Sequence, residues 1–283
     1  MSIETLRMNH GYLEGVGRLR LHYRTWEAHE SLAALVLVHG LFEHSGRYEE
    51  FGEFMGGHRF STFALDLRGH GVSEGRRGHT PRFDVLLQDL DRFRREVQGL
   101  VPVGLPLFLV AHSLGGLIGL RYLEEYDATM AGAVITAPWL GTAVRIPRWQ
   151  ILAANVLNRI LPAFPFPHHI DADELTHDAE RAANYREDPL IHGTITPRMF
   201  METASAIDLA LRRGDRIGVP VLFLLAGDDR LVDTPRSLAF ARSLQASQVT
   251  IDVLDGHYHE VLQEHGRAAV MAEIRDWIMD QLD

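Results

Sequence analysis

Residues 106–116 read Pro106-Leu107-Phe108-Leu109-Val110-Ala111-His112-Ser113-Leu114-Gly115-Gly116. An apolar run of strand length enters a serine flanked by small residues, and a helical pattern follows it. This is the G-x-S-x-G pattern of a strand–turn–helix corner that exposes a serine, with Ala111 in place of the first glycine. A serine hydroxyl is inert at neutral pH until a base and an oxyanion site are aimed at it. The corner supplies part of that geometry, because small neighbours let the backbone turn and a helix start offers free N–H groups. An ordinary βα turn can also carry a serine, so the rest of the chain decides.

Outward from this corner, Leu35–Val38, Thr62–Leu65, Leu107–Val110, Ala133–Ile135, Val219–Leu225 and Val249–Leu254 are apolar runs of strand length. Continuous runs, rather than alternation, predict strands covered on both faces and hence a parallel sheet. Leu21–Trp26 alternates and predicts an antiparallel edge strand. Between the runs, Phe83, Leu86, Leu90, Phe93 and Val97 keep helical spacing, as do Leu238, Ala241 and Leu244, and then Val270, Ile274 and Ile278 with Trp277. The alternation predicts a mostly parallel, doubly wound α/β sheet.

One stretch breaks the rhythm. Residues 141–207 hold no convincing strand; Trp149, Leu152, Val156 and Ile160 share a helical face, Phe164 and Phe166 sit among prolines, and Phe200, Met201, Ala204, Ile207 and Leu211 form a second helical set. The expectation is a helical cap (141–207) inserted into a core made of 1–140 and 208–283. The productive place for such an insertion is over the C-terminal ends of the strands, where open α/β sheets bind ligands. The plainer reading is a peripheral helical subdomain.

Composition narrows the function classes. The 283 residues carry a formal charge of −10, which argues against nucleic-acid binding. There is no cysteine, so disulfides, thiolate metal sites and a thiol nucleophile are excluded. No apolar run reaches the ~18 residues of a membrane span, and Met1–Arg7 lacks the apolar core of a signal peptide, so the expected location is the cytoplasm.

Serine chemistry needs a base, an acid to hold the base, and oxyanion donors; in this kind of sheet they follow the order Ser, acid, His. Val221–Leu225 ends in Ala226-Gly227-Asp228-Asp229-Arg230, which offers Asp228 and Asp229, with Asp233 close behind. Turn chemistry alone also favours acidic residues at a strand end. After the last strand, Gly256-His257-Tyr258-His259-Glu260 offers two histidines. The donors fall on the N–H of Leu114, after the serine, and of Leu41, in the loop His39-Gly40-Leu41-Phe42 that follows an earlier strand.

These segments together resemble the monoacylglycerol lipase and lysophospholipase branch of the α/β-hydrolases. The matching strings are His39-Gly40-Leu41-Phe42-Glu43-His44-Ser45-Gly46-Arg47-Tyr48, Asp66-Leu67-Arg68-Gly69-His70-Gly71-Val72-Ser73-Glu74-Gly75 and His112-Ser113-Leu114-Gly115-Gly116. Asp188-Pro189-Leu190, Asp229-Arg230-Leu231-Val232-Asp233 and Gly256-His257-Tyr258-His259 complete them. The resemblance implies an α/β-hydrolase fold with Ser113 as nucleophile, Asp229 as acid and His259 as base, Leu41 and Leu114 as oxyanion donors, and Glu43, Arg47 and Tyr185 at the glycerol end of the substrate. Outside Asn184-Tyr185 and Asp188-Pro189-Leu190 the cap shares little with the family pattern.

Other chemistry fits less well. His168-His169 and the set His257, His259, Glu260 and His265 attract a metal reading, but His259-Glu260 lacks the second histidine of H-E-x-x-H, so no metal is expected. No phosphate loop or G-x-G-x-x-G appears, so no cofactor is expected. An aminopeptidase would need cap carboxylates such as Asp171, Asp173 or Glu174 for the peptide amine, and a non-catalytic binder of this fold would have lost a triad member. The expected activity is hydrolysis of monoacylglycerols or similar single-chain lipid esters, with lysophospholipase or short-chain carboxylesterase as alternatives. The partner is a small lipid ester, and Ile160–Phe164 is the candidate lip for transient contact with a membrane or micelle.

Overall fold

The computed structural model describes residues 6–126, 130–144, 146–245 and 249–282. Its centre is an eight-stranded sheet. In chain order the strands are β1 (Arg7–Glu14), β2 (Arg20–Glu27), β3 (Ala33–Val38), β4 (Phe60–Leu65), β5 (Leu107–His112) and β6 (Gly132–Thr136); β9 (Val221–Ala226) and β10 (Val249–Leu254) follow the insertion, which holds the two-residue strands β7 (Phe166–Pro167) and β8 (Thr194–Ile195). The spatial order is β1-β2-β4-β3-β5-β6-β9-β10. All neighbours from β4 to β10 pair in parallel, whereas β1–β2 and β2–β4 are antiparallel.

The apolar runs became strands because both faces of the sheet are covered. In β3, Ala34, Val36 and Val38 enter one core and Ala33, Leu35 and Leu37 the other, and all six are fully buried. Helices α2 (Phe83–Leu100), α3 (Leu114–Glu125) and α7 (Thr234–Ser243) cover the first face, and α1 (Glu49–Gly57) and α8 (Arg267–Asp280) the second. Burying one such Leu or Val side chain is worth about 1.5–3 kcal/mol, so alternate residues of one strand stabilise two layers at once.

One expectation is corrected. The antiparallel strand around Leu21–Trp26 is not the edge, because β1 lies outside it in full register from Arg7↔Glu27 to Glu14↔Arg20. Most residues of β1 are exposed, so it lacks the apolar pattern that marks the others.

Between β6 and β9 the insertion carries α4 (Arg148–Ile160), α5 (Ala179–Glu187) and α6 (Pro197–Arg213), with β7 and β8 paired antiparallel. Helix α6 packs on α3 and α2 and runs unbroken through residue 207, so no element ends at the boundary expected there. Thr196 caps it, with Pro197 at its first position. Among the described residues no helix is long and apolar enough to cross a membrane.

Candidate active site

The turn between β5 and α3 forces Ser113 to φ 54° and ψ −114°, a sparsely populated backbone state. The surroundings hold it there: its N–H donates to Thr136 O at 3.0 Å, and its carbonyl accepts from Leu117 and Trp139 N–H, each at 3.0 Å. The helix must come close for this. A Cβ on Gly115 would lie 2.2 Å from the Val38 carbonyl oxygen, so the position admits only glycine.

Ser113 Oγ–H donates to His259 Nε2 at 2.9 Å, and His259 Nδ1–H donates to Asp229 Oδ2 at 2.7 Å. The other oxygen of Asp229 accepts the N–H of Leu231 at 2.8 Å and of Val232 at 2.9 Å, which fixes the carboxylate plane. Of the three acids near the β9 end, only Asp229 joins this line; Asp233 caps α7, and Asp228 N–H donates to the His257 carbonyl. His257 turns its Nδ1 to the Asp255 carbonyl instead of the serine.

Burial pushes the His259 imidazole down, but Asp229, helped by Glu260 and Glu43, outweighs this, and its pKa is raised. The neighbouring ring of His112, 4.9 Å away, is held well below the usual imidazole value by burial and then by the charge of His259. His112 is therefore neutral and adds no second cation beside His259. His39 behaves likewise: burial lowers it to about 4, its Nδ1–H donates to the Gly40 carbonyl, and its Nε2 accepts the N–H of Leu67. That neutral ring fixes the loop after β3 to the loop after β4.

Leu114 opens α3, so its N–H belongs to the first turn and has no intrahelical acceptor. On the facing loop, Glu43 Oε1 takes the Gly40 N–H at 2.5 Å, and the following residue, Leu41, lines the cavity at Ser113. Glu43 also accepts from Tyr48 O–H at 2.9 Å and from Arg47 Nη1 at 3.2 Å. The Arg47 guanidinium lies 4.9 Å from the centre of the Tyr185 ring and makes a two-pronged pair with Glu260. The sequence reading missed this role of Glu260, because its partner is 213 positions away.

Two adjoining spaces share part of their walls, and the serine lines the inner one. An inner cavity of about 120 Å³ has Glu43, Tyr185 and Glu260 at its polar wall, beside Ser113 and His259. A groove of about 940 Å³ shares Leu41, Trp139 and Leu231 with it and continues past Trp149, Phe166 and Phe200. Leu152 and Val156, on the helical face of the insertion, and Phe164, in the candidate lip, do not line the groove and are exposed.

A family profile described as serine aminopeptidase, S33, matches residues 29–266. The chain belongs to this family of α/β-hydrolases. Within it, this hydrolase is 32% identical to human monoglyceride lipase over 263 residues, covering 91% of this chain and 86% of the relative. It is 28% identical to the monoacylglycerol lipase of Mycolicibacterium smegmatis over 288 residues, covering 99% of this chain and 100% of that protein. It spans only 28% of the length of another relative, an uncharacterized abhydrolase domain-containing protein of Dictyostelium discoideum. Among solved structures, that of the Paleococcus ferrophilus monoacylglycerol lipase superposes with a TM-score of 0.84 at 31% identity, over 92% of this chain and 99% of that one. These relatives place the hydrolase in the monoacylglycerol lipase branch of the fold.

Proposed function

We propose that this chain is a serine ester hydrolase that cleaves monoacylglycerols or similar single-chain lipid esters. The observation that carries the reading is the line Ser113–His259–Asp229, hydrogen-bonded at 2.9 and 2.7 Å beside an inner cavity that shares Leu41, Trp139 and Leu231 with a larger groove.

Ser113 Oγ attacks the ester carbonyl while His259 Nε2 takes its proton, and Asp229 stabilises the imidazolium that forms. The N–H groups of Leu41 and Leu114 stabilise the oxyanion. Glu43 supports this assignment, because it occupies the Gly40 N–H and leaves the next one for the substrate. His259 then gives the proton to the departing alcohol. Water repeats the cycle on the acyl-enzyme and releases the fatty acid.

The two spaces divide the substrate. Residues 141–207 act as a cap whose groove takes the acyl chain, and each buried methylene contributes about 0.8 kcal/mol. The inner cavity is about four times the ~30 Å³ share of one liquid water, a fit for a small alcohol. Glu43 and Glu260 line this cavity, while Arg47, which pairs with both, does not, and this disfavours a phosphodiester head group. That favours a glycerol ester over a lysophospholipid. Tyr185 faces this head group directly, and Glu43 and Arg47 shape the wall around it. Little favours peptide amines: Asp171 and Asp173 are exposed outside the inner cavity, with Asp173 paired to Arg186, and Glu174 lines the apolar groove.

Trp149, Leu152, Val156 and Ile160 form a stripe along α4 that is 49–69% exposed, with Leu161 and Phe164 beside it. A stripe of this kind suits a cytoplasmic enzyme that visits a lipid surface to load substrate. Three measurements test the reading. A fluorophosphonate probe is expected to label the folded wild type and not Ser113→Ala; an unlabelled wild type defeats the proposal. In a panel of monoacylglycerols, lysophospholipids and aminoacyl amides, monoacylglycerols are expected to turn over fastest. Replacing Leu152, Val156 and Ile160 by serine is expected to spare soluble p-nitrophenyl esters and slow turnover of emulsified lipid.

A further inference from the structure

Arg47 is matched by more negative charge than it needs. Glu43 and Glu260 both bond its guanidinium, and the side chains of all three are less than a tenth exposed. One carboxylate would neutralise one guanidinium, and burying a second costs stability unless it does something else. The topology shows what the second one joins. Glu43 holds the oxyanion loop through the Gly40 N–H, while Glu260 directly follows His259. A second tie runs the same way: Gln263 Nε2 donates to the Arg47 carbonyl at 2.7 Å.

We infer that Glu260 is a positioning residue that, through Arg47 and Glu43, ties the loop carrying His259 to the loop carrying the Leu41 N–H and fixes the distance between them. The inference rests on the proposed roles of Ser113 and His259. In the acylation step one group must take a proton and the other must hold the new negative charge at the same moment. A loose span between them therefore weakens the transition state while leaving substrate binding alone. Glu260 also acts on the base through charge. The charged and titratable groups around the His259 ring are Asp229, Glu260, Glu43, His112 and Ser113, with Arg47 behind the carboxylates. Removing one negative charge from this set disfavours the imidazolium.

Two substitutions separate span from charge. Glu260→Gln keeps the shape and leaves Arg47 neutralised by Glu43, so the variant is expected to fold. Against p-nitrophenyl butyrate, its kcat is expected to fall about tenfold at constant KM. The acid limb of its kcat/KM profile is expected to move down by roughly half a pH unit. Glu260→Asp keeps the charge on a shorter arm that cannot reach both guanidinium nitrogens. It is expected to lose kcat at constant KM, with the limb unmoved.

Wild-type kcat and an unmoved limb in both variants overturn the inference, as does failure of Glu260→Gln to fold, because the carboxylate would then be needed for stability. Fluorophosphonate labelling separates the two levels. If the wild type is unlabelled, the serine-hydrolase reading has failed; if it is labelled and the variants behave as wild type, only the role of Glu260 has failed.

Discussion

The methyl group of Ala111 occupies the place where the serine corner usually has glycine, and Gly119 makes room for it. A Cβ on Gly119 would lie 3.2 Å from Ala111 Cβ and 2.9 Å from Leu109 Cδ2. The missing glycine at the corner thus has its counterpart in the second turn of α3, where the sequence shows only a small residue among several. Gly119→Ala is expected to destabilise by about 1–3 kcal/mol in urea unfolding, through overpacking. Adding Ala111→Gly is expected to recover part of that loss, giving a coupling of at least about 0.5 kcal/mol. Strictly additive effects would show that the two positions do not share this space. Strand order led to the serine, an acidic cluster and a pair of histidines; the family resemblance singled out Asp229 and His259, the two that hydrogen-bond in line with Ser113. The bridge through Glu260 could not be read from sequence, because it depends on two loops that only the folded sheet brings together. In the proposed mechanism the active form of His259 is the neutral ring, and its pKa is raised. The acid limb of kcat/KM is therefore expected above the ordinary ~6.5 of histidine. A limb well below that value would contradict the charge arrangement around the ring.

At the scale of elements, an apolar stripe reads the same whether it faces a core or water. Phe83, Leu86, Leu90, Phe93 and Val97 on α2 are all buried, whereas no residue of α4 is, although Trp149, Leu152, Val156 and Ile160 repeat with similar spacing. What differs is the neighbour: α2 lies on the sheet, while α4 leans on α6 at the rim of the groove. The reverse failure is β1, a real strand without an apolar signature, held by backbone pairing to β2. The two ends of the insertion are also anchored differently. Helix α5 is tied to the core by Arg181–Glu50 and by Arg267–Asp178 at 3.0 Å, and His44–Asp188 at 2.8 Å fixes the segment just after it. Amides of 148–160 are accordingly expected to exchange with deuterium faster than those of 179–187. Equal protection would mean that α4 is held by contacts its exposure does not reveal.

For the whole molecule, histidines held neutral by the fold weigh against stability in acid. Burial lowers His39 to about 4 and His192 to about 4, and pushes His70 and His112 well below the ordinary value. Between pH 6.5 and 4 the unfolded chain binds protons at these sites and the folded chain does not, so stability falls as pH falls through that window. The fully buried His39 alone accounts for about 3 kcal/mol across it. Asp66 acts in the same direction but lower: His22, Ser45 and Val72 hold its carboxylate well below the usual range, so its contribution is lost only as pH drops beneath the ordinary carboxylate value. Neutralising the formal charge of −10 would by itself relieve repulsion and stabilise the fold on acidification. That effect is spread over an exposed, screened surface, whereas each buried imidazole must be ionised in place. Glu124, which burial raises to about 7, and Glu43 and His259, both raised, act in the opposite sense, so the slope is the balance of the two sets. With the histidines as the larger set, urea unfolding is expected to show stability falling as pH falls from 6.5 toward 4. His39→Gln, which can still donate to the Gly40 carbonyl or accept from Leu67, is expected to flatten that slope even if it lowers stability at pH 7. A flat stability profile between pH 7 and 5 in the wild type would mean that these rings reach water or a partner while the fold stays intact.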